Sequence, residues 1–414
     1  MTVLESPKNS LAKDYISFYQ GLDNLIVDDD SLAIGLSKIK NKIADFSNIK
    51  NIHFLLGAGA SADSIPDMKK MLDAVDVKLR GGEGLECLDA SFAKIRASSA
   101  ENLESILGTL YSYRSYLEGT GTVSNENSNL IDLIEKVIFD QINIDLDSSQ
   151  AEKSLKLYKR LYQKLSLRNK DLARVNVFTT NNDLLSEKAL DYLNINYNNG
   201  FGGGLNRVFN PARFSYTFSK KVDTSLEKYE PLENMVYLYK LHGSISWVEC
   251  SDNSFFNIKE VQVIPKDGRP DGNVLIYPTP LKQNKSLGSP YADLIREFQR
   301  KLLLPHGVLF VIGYSFSDEH INNAIYQALA TNSSISIVIF GNYSDKAIFK
   351  VEDRRIYKIF GEIEKDTSKE NIHYFNYIVN EIIPDLDDNR DTDLLKEFVN
   401  NIKELNNFKR IDTK

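Results

Sequence analysis

Short apolar runs that end in glycine or in a polar cluster alternate along this chain with longer stretches of three-and-four periodicity. Ile52-His53-Phe54-Leu55-Leu56 leads into Gly57, Val175-Asn176-Val177-Phe178 into Thr179-Thr180-Asn181-Asn182-Asp183, and Val308-Leu309-Phe310-Val311-Ile312 into Gly313. Such runs, bounded by turn residues, predict strands buried on both faces, as in a parallel sheet. Apolar spacing predicts helices over 11–47, over most of 67–169 with breaks at Gly81-Gly82 and 119–129, and over 183–193, 290–303 and 318–330. A helical tail is predicted from about residue 372. Extended segments are predicted over 213–218, 235–241, 274–277 and 335–340, and a polar surface loop over 251–273. Repeating strand–turn–helix units make the fold class α/β, a Rossmann-like, mainly parallel sheet flanked by helices. The expected organisation is a helical segment at 1–48, one large domain at 49–365 with a helical insertion at 67–170, and a helical tail at 366–414.

Composition narrows the function. With 414 residues and 42% hydrophobic content, the chain can bury a sizeable core. A net charge of −7 argues against duplex nucleic acid as the main ligand, which needs clustered cations. Cys87 and Cys250 cannot make a four-thiolate zinc site. His53, His242, His306, His320 and His373 show no metal-ligand spacing, so no metal is expected. The polar start has no apolar signal region, and no apolar stretch nears the ~20 residues of a membrane span. These features predict a cytoplasmic protein.

Gly57, Gly59 and Ala62 fit G-x-G-x-x-A directly after a strand. Glycine there permits a sharp turn and close backbone approach to a pyrophosphate, and a helix start beyond it offers free N–H groups. Ser61 adds a hydroxyl. A dehydrogenase would place an acid about 20 residues further on, but that region reads as helical, which speaks against hydride transfer. Pro66-Asp67 marks a helix start, where Asp67 serves as a cap. Asn181 stands beyond the end of a strand, where open α/β sheets bind ligands, and its amide can hold a ribose hydroxyl or a water. Asp183 reads as a helix cap that also orients Asn181. His242 closes the extended run Tyr237–Leu241, and an imidazole suits a general base near neutral pH.

Taken together, Gly57–Ser61 with Ile65-Pro66-Asp67, Thr179–Asp183 and Leu241-His242-Gly243 resemble the sirtuin family. Lys240–Trp247 and Gly313-Tyr314-Ser315-Phe316-Ser317-Asp318 resemble, more narrowly, the sirtuin-like proteins of prokaryotic antiphage systems. The resemblance spans about residues 40–345. It implies that Gly57, Ala58, Gly59 and Ser61 cradle the phosphates of NAD, with Asp67 and Thr180 also lining the dinucleotide site. It places Asn181 and Asp183 around the nicotinamide ribose, and Gly313 and Ser315 at the other phosphate and ribose. His242 would be the base, and Phe340-Gly341-Asn342 the adenosine contact.

The chain departs from protein-deacylating sirtuins in lacking four zinc-ribbon cysteines and in carrying Met68-Lys69 after Pro66-Asp67. The expectation is an NAD+ hydrolase that releases nicotinamide and ADP-ribose, with Asn181 and His242 catalytic and NAD consumed as substrate in antiviral defence. An NAD-dependent protein deacylase and a non-catalytic NAD or ADP-ribose sensor are the alternatives. Unrestrained NAD loss would harm the cell, so control by assembly is expected. That means a homo-oligomer, and by resemblance a HerA-type ATPase partner, with no sequence-specific nucleic-acid contact and no membrane.

Overall fold

The computed structural model describes residues 15–384 apart from 28–29, 83–84, 100–101, 123, 167, 169–170, 224–226, 250–256, 263, 265–269, 271, 276–289 and 366–367. In chain order, the first half holds β1 (Tyr15–Gln20), β2 (Asp23–Asn24), α1 (Leu32–Ser47), β3 (Asn51–Leu56), α2 (Met68–Arg80), α3 (Glu86–Ser98), α4 (Leu103–Gly119), α5 (Asn125–Ile142), α6 (Ser149–Ser166), β4 (Val175–Thr179), α7 (Leu185–Tyr192) and β5 (Asn196–Asn198). Next come β6 (Phe201–Gly202), β7 (Arg207–Phe209), β8 (Ser219–Asp223), β9 (Lys228–Pro231), β10 (Met235–Lys240), β11 (Gly243–Glu249), β12 (Ile258–Glu260) and β13 (Asn273–Leu275). The last part holds α8 (Tyr291–Leu302), β14 (Gly307–Ile312), α9 (Glu319–Thr331), β15 (Ile335–Phe340), β16 (Ile356–Lys365) and β17 (Ser368–Asn371).

One large sheet organises the chain, in the order β2-β1-β16-β15-β14-β3-β4-β10-β5, with β17 on β16. From β16 to β5 every pairing is parallel. The α/β, Rossmann-like sheet flanked by helices expected from the sequence is therefore the observed fold. Strands β3 and β14 are buried at every position, which is why they read as unbroken apolar runs rather than alternating ones. One face packs on α1, α6 and α7, and the other on α8 and α9. Helices α2 to α5 close a core of their own around Phe92, Ile106, Ile131 and Phe139. A second sheet, β13-β11-β12-β7-β6, adjoins the large one, because β11 begins three residues after β10 ends.

Several expectations need correction. Residues 15–24 are not helical: β1 lies antiparallel on β16, and Phe18 joins the core. Tyr15, Tyr19 and Leu22 merely happen to fall at helical spacing. The tail is also not uniformly helical. Ser368–Asn371 is a strand on β16, then a helical turn at Phe375–Tyr377 runs into a π-type turn at Ile378–Ile382. The part of the tail at 385–414 lies outside the described residues. Arg213–Phe218 is not extended throughout, because Pro211–Ser215 forms a 3-10 turn capped by the Asn210 side chain with proline in its first turn. A short strand, Ile258–Glu260, interrupts the expected loop at 251–273. The extended segment at 274–277 is described only as far as Leu275.

Candidate active site

The site follows from where the strand order reverses. From β3 the chain builds outward through β4 to β10, then returns to the other side of β3 with β14, β15 and β16. Ligands of open α/β sheets bind at such a reversal, beyond the carboxyl ends of the strands. Here Gly57 follows β3, Gly313 follows β14, Thr180–Asp183 follows β4, and Leu241-His242 follows β10.

Backbone bonds knit these loops together. The Gly57 N–H donates to the Ile312 carbonyl at 2.9 Å, Gly59 to Gly313 at 3.0 Å, Thr180 to Leu56 at 3.0 Å and Leu241 to Thr179 at 2.8 Å. The glycines serve this closure directly. A Cβ on Gly57 would lie 2.4 Å from the Gly313 carbonyl oxygen, and one on Gly59 would lie 2.7 Å from the Gly313 Cα. Gly313 itself has φ +64°. One expectation fails here. The glycine turn leads only into a 3-10 turn at Ala58–Ala60, and the next α-helix starts at Met68, so no long helix points its N-terminus at the turn. Pro66 and the Asp67 cap set that later start, with Asp67 accepting from the Lys70 N–H at 2.9 Å. Asp67 is exposed and caps α2.

Behind the turn sits a buried polar cluster. Asn181 Nδ2 donates to the Gly57 carbonyl at 3.0 Å and to Ser61 Oγ at 3.0 Å, and lies 3.4 Å from the Tyr158 hydroxyl. Ser61 Oγ donates to Asp183 Oδ2 at 2.9 Å and lies 3.0 Å from the Tyr158 hydroxyl. Asp183 Oδ1 accepts from the Leu185 N–H at 3.0 Å. Both amide hydrogens of Asn181 are thus spent on the protein, so the side chain can offer a ligand only its Oδ1 acceptor. Burial pushes the Tyr158 hydroxyl pKa well up, and the neighbouring Asp183 charge adds to this. Tyr158 comes from α6, whose apolar stripe reads as core and hides this role.

Lys240 supports the same loop from beneath. Its Nζ donates to the Asp183 carbonyl and pairs with Glu187 Oε1 at 2.9 Å. Burial raises the Glu187 pKa, against the pull of Lys240. Asn182 ties the loop forward, donating to the His242 carbonyl at 2.7 Å.

His242 Nε2 lies 3.0 Å from Asp318 Oδ2. The other oxygen of Asp318 caps α9, accepting from the N–H groups of His320 and Ile321. An imidazole that donates from Nε2 to this carboxylate carries its lone pair on Nδ1. Asp318 belongs to the motif after Gly313, but its pairing with a histidine 76 residues away is invisible in sequence. Phe316 between them adopts φ +55°, a strained region for an aromatic residue, and is held by Tyr314, Tyr343 and a bond from Asn322 Nδ2 to its carbonyl. Ser315 is exposed at the loop surface, 3.0 Å from Ser317 Oγ. Of the other histidines, His53 is fully buried in β3, His306 and His320 flank strand and helix starts, and His373 packs behind β16.

With this geometry in place, comparison with known proteins gives the chain a family likeness. Residues 175–347 match the SIR2-like domain family. That stretch, less than half of the chain, includes Asn181, Asp183, His242, Gly313 and Asp318. No curated protein matches the sequence. Among solved structures, one reported as the structural basis for the mechanism and regulation of Sir2 enzymes is 13% identical, covers 86% of this chain and 99% of its own, and has a TM-score of 0.37. A mutant Sir2 homologue in complex with ADP-ribose is 13% identical, with coverage of 84% and 96% and a TM-score of 0.36. Neither likeness bears on which residues carry chemistry. Among the described residues no group of His, Cys, Asp and Glu could hold a metal, and no helix is long and apolar enough to cross a membrane.

Proposed function

We propose that this chain hydrolyses NAD+ to nicotinamide and ADP-ribose at the strand reversal. The observation that carries the reading is Asn181, whose amide hydrogens are held inward by Gly57 and Ser61 while its Oδ1 is left as an acceptor. An acceptor suits a ribose hydroxyl or an attacking water. The His242–Asp318 pair is joined to the same loop through Asn182.

In this reading nicotinamide leaves as a neutral group and needs no general acid. The ribose passes through an oxocarbenium-like state. Asn181 orients a water toward the anomeric carbon, and His242 takes a proton from that water or from a ribose hydroxyl. Asp318 steadies the imidazolium that results. Base catalysis of this kind is worth about 10²–10⁴-fold, and positioning and exclusion of water supply the rest. The exposed turn at Ala58 and Gly59, the Gly313 loop with Ser315, and Thr180 are the proposed dinucleotide contacts. Asp67, which caps α2, is a further proposed contact.

The matched SIR2-like family supports this substrate class. NAD consumption would suit antiviral defence, with control by assembly and a HerA-type ATPase partner. The test is to incubate the full chain with NAD+ alone, with an acylated peptide, and with the candidate ATPase, and to separate the products by chromatography. Nicotinamide and ADP-ribose from NAD+ without peptide support the reading. Release only with peptide indicates a deacylase, and tight binding without product indicates a sensor. Either of those results overturns it.

A further inference from the structure

Apart from the two larger sheets stands a two-stranded ribbon of β8 and β9. Ser219 pairs with Pro231, Lys220 with Glu230 and Lys221 with Tyr229, and the Leu232 N–H donates to the Phe218 carbonyl at 2.8 Å. Cross-strand partners share a face, so Phe218, Lys220, Glu230 and Leu232 lie together, with Val222 at the bulge that ends the pairing. Phe218 is 47% exposed and Val222 49% exposed. A two-stranded ribbon is marginal in water by itself. This one leaves apolar side chains in solvent and, among the described residues, has no third strand on either edge.

The charges decide what can cover it. Residues 216–233 carry Lys220, Lys221 and Lys228 against Asp223, Glu227, Glu230 and Glu233, a nearly neutral patch on a chain of net charge −7. Phosphate polymers and anionic membranes need an excess of cations and do not match it. Two acidic copies, in contrast, meet here with little repulsion. Lys220 and Glu230 are cross-strand partners, so a two-fold axis that runs along the ribbon, parallel to its strands, sets each copy's Lys220 against the Glu230 of the other. That is the self-complementarity an isologous contact requires. The ion pair Lys220 makes with Glu233 is exposed and 4.0 Å long, so giving it up costs little.

We propose that this ribbon face is where two copies of the chain meet about a two-fold axis. The inference is independent of the NAD reading, and its test reads mass rather than turnover. Sedimentation velocity on the full chain is expected to show a species of two copies or a multiple of two. Lys220→Glu and Glu230→Lys each place like charges at the contact and are expected to lower that mass, with circular dichroism unchanged. Mixing the two variants restores opposite charges across the axis without altering either ribbon internally, and is expected to regenerate the larger species. Slower amide exchange in β8 and β9 of the larger species would agree. A wild-type chain of single-copy mass, variants that keep the wild-type mass, or a mixture that stays dissociated would each overturn the proposal.

Discussion

Lys240 and Glu187 offer a separation of stability from chemistry. Lys240 is 2% exposed, its Nζ is 2.9 Å from Glu187 Oε1, and among the described residues the second oxygen of Glu187 has no hydrogen-bond partner. Lys240→Met removes the cation and strands a buried carboxylate. Breaking a buried pair on one side costs about 3–5 kcal/mol. Replacing both members with apolar groups is close to neutral, so Lys240→Met/Glu187→Leu is expected within about 1–2 kcal/mol of wild type, the residue being the lost bond to the Asp183 carbonyl. Urea unfolding with unchanged slope measures both values. The double variant should nonetheless turn over NAD+ poorly, because the loop bearing Asn181 and Asp183 has lost its support from below. A double variant as unstable as the single one would refute the coupling. A double variant with wild-type turnover would refute the supporting role.

Three further outcomes follow from particular side chains. Gly57→Ala puts a methyl group 2.4 Å from the Gly313 carbonyl oxygen and 2.5 Å from the Tyr314 Cα, backbone that cannot swing aside; a loss of about 1–3 kcal/mol is expected, read as a lower melting temperature. Asn181→Asp keeps the shape but removes the donor to Gly57 and Ser61; turnover should fall about ten- to hundredfold in steady-state assays while the fold survives. Burial, with the charges of Lys301 and Arg168, lowers the His53 pKa to about 3. The unfolded state, titrating near 6.5, therefore binds the extra proton first, and stability declines as pH falls from about 6.5 toward 3, by at most about 1.4 kcal/mol per unit. His53→Leu should flatten that decline between pH 7 and 5 in urea titrations.

The frame of the site was legible because it rests on local signals. Apolar runs ending in Gly57, Thr180 and Gly313 gave the three central strands and the ends that carry the loops, and Asn181 and His242 stand out as polar groups at such ends. What stayed hidden depends on distance along the chain. The pairing of His242 with Asp318 and the contact of Tyr158 with Ser61 and Asn181 join elements that share no pattern. The glycines were read as room for a pyrophosphate, yet their tightest neighbours are the backbone of Gly313 and Tyr314. Strand β1 escaped because its aromatic spacing mimics a helix, and β8 and β9 escaped because Lys-Lys and Glu-Pro give no alternation to read.

Hydrolysis at His242 is decided by comparing wild type with His242→Ala on NAD+, following nicotinamide and ADP-ribose by chromatography, with circular dichroism to establish folding. Steady release of both products is expected from wild type, with a loss of about 10²-fold or more in the folded variant. Undiminished release by His242→Ala would contradict it.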